Sequence, residues 1–138
     1  MHRYLIVANR TLTGPHVVTE ITKRAAEGDA EFHVVVPAVP AHATFWTEGQ
    51  AHADARARLD EAIHILRDAG IEATGEVGDE NPVRAVGDVV NRMPVDEIIL
   101  STLPPGASRW LKRDLPHKLA RTYHVPVTHI VAERVPAH

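Results

Sequence analysis

The chain has 138 residues, enough for one domain with a buried core, a net charge of -3 with both signs interspersed, and no cysteine. The missing cysteines exclude a disulfide framework, a thiol nucleophile and a zinc–thiolate site. The mixed signs exclude the basic face that a general nucleic-acid or anionic-membrane binder needs, so any anion site must be local.

In chain order, "YLIVA" (4–8) is apolar on successive residues, as a strand buried on both faces must be. It is far too short for a signal-peptide core, and no later stretch approaches about 18 apolar residues, so a soluble, cytoplasmic protein is expected. The polar loop "ANRTLTG" (8–14) follows, and Gly14-Pro15 opens a helix marked by Val18, Ile21 and Ala25 that ends at Gly28. The second strand is "FHVVVP" (32–37). The connection from Ala38 to Gln50 is long and carries Pro40, His42, Phe45 and Trp46, a composition that suits a stacking platform over a purine or a seal over a crevice or subunit interface. Ala55, Leu59, Ala62, Ile63 and Leu66 share one face of a long helix over 51–69, closed by Gly70.

"IEATGEV" (71–77) alternates apolar with polar residues, the period of a half-exposed strand at a sheet edge. Val83, Val86, Val89 and Val90 give a helix with Asn81 as N-cap and Pro82 at its first position. "EIILST" (97–102) is a buried strand running into "STLPPGASRWLKRD" (101–114). Asp114 is expected to cap the last helix, which carries Leu115, Leu119 and Tyr123, and "VPVTHIVA" (125–132) is the final strand. The order β-α-β-α-β-α-β-α-β, with crossovers long enough for parallel pairing, predicts an α/β fold: a single-domain, Rossmann-like, doubly wound five-stranded parallel sheet over residues 1–138. For a strand order 3-2-1-4-5, ligands belong beyond the carboxyl ends of strands 1 and 4, where the order reverses. The loops 8–14 and 101–114 meet there.

These loops hold the candidate groups. Arg10, Arg109, Lys112 and Arg113 can grip an anion through side-chain cations, or form a solvated basic loop beside Asp114. Ser101, Thr102 and Ser108 add hydroxyls that either meet a ligand or satisfy their own turn. Ten histidines show no metal-ligand spacing: His52 and His64 lie on different faces of the long helix, and His2, His16, His33, His129 and His138 are scattered. No metal site is expected. His117, in the first turn of the last helix, is the one histidine placed to act as an acid, base or ligand contact, with a plain surface residue as the alternative. No Gly-x-Ser-x-Gly elbow, Walker loop or catalytic carboxylate pair occurs, so no catalytic residue is assigned.

Taken together, "YLIVANRT" (4–11), the long helix after strand 2, "EVGDENPVRAV" (76–86), "VDEIILST" (95–102) and "HVPVTHIV" (124–131) give a chain that resembles the universal stress protein family over nearly its whole length. The resemblance implies that family's adenine-nucleotide-binding fold. In the family's nucleotide-binding branch a Gly-two-Gly-nine-Gly-Ser/Thr pattern lets backbone N–H groups approach phosphates, since a Cβ would block the approach or the required positive φ. Those positions fall on Leu100, Leu103, Arg113 and Asp114. The acidic residue common at the end of strand 1 is Asn9, which still hydrogen-bonds a ribose or base, while Gly106, Ser108 and Arg109 match the family's loop.

The candidate ligand set, from the loop residues and the resemblance together, is Asn9, Arg10, Ser101, Thr102, Gly106, Ser108, Arg109, Arg113 and His117. The resemblance implies a non-catalytic protein that binds a small anionic or adenine-containing ligand weakly and ATP poorly, with an adenine nucleotide the sole cofactor class admitted. It also implies a homodimer through the apolar last strand, with no nucleic-acid or membrane partner. The alternative is a small enzyme acting on a nucleotide or phosphate ester, with Arg109 and Arg113 stabilising charge and His117 as general acid or base.

Overall fold

The computed structural model describes residues 2–8, 15–38, 48–102 and 114–131. The elements are β1 (His2–Val7), α1 (Pro15–Ala26), β2 (Ala30–Pro37), α2 (Glu48–Asp68), β3 (Ala73–Gly78), α3 (Pro82–Val90), β4 (Glu97–Thr102), α4 (Leu115–Tyr123) and β5 (Val127–Val131). The five strands form one sheet in the order β3-β2-β1-β4-β5, and every pairing is parallel. This is the expected doubly wound α/β architecture.

Strand alternation divides the core between two faces. Tyr4, Ile6, Phe32, Val34, Val36 and Ile99 point to the side covered by α1 and α2, where Val17, Ile21, Ala55, Leu59, Ala62 and Leu66 meet them. Leu5, Val7, Val35, Ile98 and Leu100 point to the side of α3 and α4, against Ala85, Val86, Val89, Leu115 and Leu119. The central strands are therefore apolar at successive positions because both faces are covered, and each fully buried Leu, Ile or Val contributes about 1.5–3 kcal/mol.

Local signals fix the helix ends. Asn81 accepts from the Val83 amide through its side chain at 2.9 Å, and Pro82 occupies the first turn of α3, as expected. Gly70 adopts φ +85 after α2, with Gly70 N–H donating to Arg67 O and Ile71 N–H to Leu66 O, both at 2.9 Å. This is a Schellman closure that a Cβ would strain.

Two expectations need correction. The buried residues of α1 are Val17 and Ile21, with Ala25 packed against the core, and Val18 lies beside this face. An i, i+4, i+8 row fits the sheet better than the 18-21-25 row read from the sequence. Asp114 stands at the N-cap position of α4 but makes no side-chain cap. Its backbone is left-handed (φ 54, ψ 43) rather than extended, the next-but-one residue is Pro116 with no N–H to offer, and its carboxylate bonds His117 instead.

Candidate functional site

The strand order reverses at β1, which pairs with β2 on one side and β4 on the other. The chain leaves β1 through α1 on one face and reaches β4 through α3 on the opposite face. In doubly wound sheets ligands bind beyond the carboxyl ends of the strands where the order reverses, and here those are the ends of β1 and β4. Ala8, at the end of β1, is fully buried, so the sheet is closed up to the point where the first loop begins.

Ser101 and Thr102 end β4 and are 1% and 2% exposed, which makes them anchored residues rather than free loop groups. Successive strand positions send them to opposite faces: Ser101 lies in register with Ile130 and Thr102 with Val131. The Thr102 hydroxyl lies 2.7 Å from His129 Nε2 on β5. Burial pushes the His129 imidazole below its ordinary value of 6.5, which favours the neutral ring. Leu100, one of the positions matched to the glycine pattern, is fully buried in the core beneath α3 and α4.

His117 projects from the first turn of α4, with Nδ1 donating to Asp114 Oδ1 at 2.8 Å, and its side chain is largely exposed. The carboxylate holds one ring nitrogen. Asn9, Arg10, Gly106, Ser108, Arg109 and Arg113 lie outside the described residues, as do Lys112, Trp110, Phe45 and Trp46. Among the expected ligand residues, the described structure therefore places Ser101, Thr102 and His117, each at the carboxyl end of β4 or in the first turn of the helix that follows it.

Two polar clusters escaped sequence reasoning. His33 on β2 joins neighbouring β3: its Nδ1 lies 2.7 Å from Thr74 Oγ1 and its Nε2 2.8 Å from Glu76 Oε1, and Arg92 also binds Glu76. Burial alone would raise the Glu76 carboxyl, but hydrogen bonds from Arg92 and His33 outweigh it and hold the group below the usual carboxylate range. At the amino end of β4, Glu97 accepts from Thr128 Oγ1 at 2.8 Å and pairs with Arg24 at 3.1 Å, while the Arg24 guanidinium sits 5.7 Å from the centre of the Tyr4 ring. Both depend on strand register, which no local pattern announces. Among the described residues no group of three or more histidine and acidic side chains could hold a metal ion, and no helix is long and apolar enough to cross a membrane.

No protein-family model and no curated protein matches the chain. Solved structures do match. A universal stress protein crystallised in complex with cAMP superposes with a TM-score of 0.64 at 15% identity, covering 96% of this chain and 98% of that one. The fold is that of the universal stress proteins. A member of that family from Burkholderia pseudomallei gives a TM-score of 0.66 at 14% identity over 93% of this chain and 94% of its own, and one from Archaeoglobus fulgidus gives 0.63 at 15% over 96% and 94%. At such identities it is the universal stress protein fold that is shared; ligands are a question for the individual side chains.

Proposed function

We propose that the chain is a single-domain, non-catalytic protein of universal-stress type whose crevice at the carboxyl ends of β1 and β4 binds a small anionic or adenine-containing ligand weakly, and ATP poorly. The observation that carries this reading is the reversal of strand order at β1, which sets the carboxyl ends of β1 and β4 side by side. Asn9, Arg10, Gly106, Ser108, Arg109 and Arg113 supply polar and cationic groups from those loops, with Ser101, Thr102 and His117 at the strand and helix ends. The neighbour crystallised with cAMP supports an adenine-bearing ligand as the class to try first.

Weak ATP binding follows from the residues at the glycine positions. Leu100 fills core space, and Leu103 and Arg113 carry Cβ atoms where backbone N–H groups would need to approach phosphates. Affinity then rests on Arg109 and Arg113. We further read the protein as a homodimer through β5, because that edge is apolar and carries no charged residue to block pairing. A cytoplasmic location fits a chain without cysteine.

A second reading draws support from the Asp114–His117 pair. A carboxylate that holds Nδ1 leaves Nε2 available for proton transfer, so a nucleotide or phosphate-ester enzyme with His117 as acid or base and Arg109 and Arg113 as charge stabilisers is the competing assignment. A thermal-shift screen of nucleotides with paired turnover assays separates the two. Stabilisation by an adenine nucleotide without turnover supports the binding protein; turnover that is lost in His117→Ala supports the enzyme.

A further inference from the structure

Among the described residues β5 pairs with β4 alone, and its five residues, Val127–Val131, include no Lys, Arg, Asp, Glu or Pro. Val131 is 37% exposed, so one apolar side chain already stands uncovered at this edge. A two-fold pairing of such edges that continues the sheet must be antiparallel, with the axis perpendicular to the sheet.

Symmetry then restricts the register. Rotation about that axis keeps each face of the sheet on its own side, so a β5 residue facing α4 must meet another that faces α4. Val127, His129 and Val131 share that face, in register with Ile98, Leu100 and Thr102. The axis must therefore pass through a residue and not between two. Centring the pairing, which engages all five positions, puts the axis through His129. We propose that His129 makes assembly through β5 sensitive to protons, because the two-fold axis sets it directly opposite its own copy. The inference rests on the homodimer reading given above.

Directly opposed residues of antiparallel strands hold their Cβ atoms about 4.5–5.5 Å apart, where neutral imidazoles pack and two imidazolium ions repel. The surroundings offer His129 no compensating charge among the described residues. On its face β4 presents Leu100 and Thr102, while Glu97 lies on the opposite face, bonded to Thr128. From α4, Leu115, Leu119 and Tyr123 point inward, and the Tyr123 hydroxyl donates to the Val83 carbonyl of α3. Asp88 on α3, and Asp114, His117, Lys118, Arg121 and His124 along α4 and its ends, are solvent-exposed.

Burial within one chain already disfavours the charged ring, and a second chain deepens that burial. The dimer thus binds fewer protons than two monomers. Association strengthens as pH rises and weakens as pH falls below the ordinary imidazole value, through the lowered range of the buried ring.

Sedimentation of the full chain over a concentration series at constant salt tests this, with circular dichroism confirming the fold at each pH. The expected result is a dimer near about pH 8 whose dissociation constant rises about tenfold by about pH 5, with His129→Gln remaining dimeric and losing the dependence. A wild-type dissociation constant that changes less than about twofold, or a rise that persists in His129→Gln, overturns the inference and leaves the dimer standing. A chain monomeric at every pH overturns the dimer reading and the inference together. Should His129→Gln fail to fold, the wild-type imidazole titration followed by NMR decides: its pKa must fall as protein concentration rises, and a concentration-independent value contradicts the proposal.

Discussion

Tyr123 on α4 occupies the space that a Cβ at Gly87 on α3 would need, and its hydroxyl donates to the Val83 carbonyl at 2.6 Å in the same place. Helix propensity alone favours Ala over Gly by about 1 kcal/mol. Against that gain stand overpacking, about 1–3 kcal/mol, and a disturbed hydrogen bond, about 1 kcal/mol. Gly87→Ala is expected to destabilise the protein by about 1–3 kcal/mol net. The same change should cost less in a Tyr123→Phe background, where the hydroxyl is gone. Urea denaturation of the four proteins of this cycle reads the coupling directly.

The His33–Glu76–Arg92 cluster predicts how the fold responds to acid. A carboxyl held below its usual 4.5 in the native state contributes stability that is present above that value and is lost as pH falls through the native value. Glu76→Gln should cost about 1 kcal/mol at neutral pH by weakening charge-assisted bonds to Arg92 and His33. It should also flatten the loss of stability below about pH 4.5, which urea midpoints collected across that range will show.

Leu100, which the family resemblance sets at a glycine position, is expected not to tolerate a glycine. Its side chain is fully buried between Val7, Ile98 and the helices of its face. Leu100→Gly removes that packing and adds backbone entropy to the unfolded chain, a cost of about 4 kcal/mol. Thermal unfolding should show a large fall in the midpoint, with no gain in nucleotide affinity.

Much of the architecture was legible because burial on both faces leaves a local mark. "EIILST" is apolar at successive positions because Ile98 and Leu100 feed one core while Ile99 feeds the other, and "IEATGEV" alternates because it forms the edge strand β3. Asn81-Pro82 and Gly70 punctuate helices through purely local geometry, so they too could be read. Asp114 misled because its capping depends on backbone φ, and a left-handed residue before Pro116 cannot use the usual cap. His33 and His129 were dismissed as scattered because their partners, Thr74, Glu76 and Thr102, are 41, 43 and 27 residues away and are met only through strand register. For the candidate site, topology named the place, and strand alternation sent adjacent Ser101 and Thr102 to opposite faces.

The proposed crevice is expected to lack a backbone phosphate cradle and to hold an anionic ligand through side-chain cations. Equilibrium titration of ATP, with and without magnesium, into the wild-type chain and the Arg109→Ala/Arg113→Ala double variant tests it most directly. Weak binding by the wild type that fades with added salt and disappears in the double variant is the predicted result, since exposed charge pairs are screened. Tight, magnesium-dependent binding that survives both substitutions would contradict the account, because only backbone N–H groups could then be holding the phosphates.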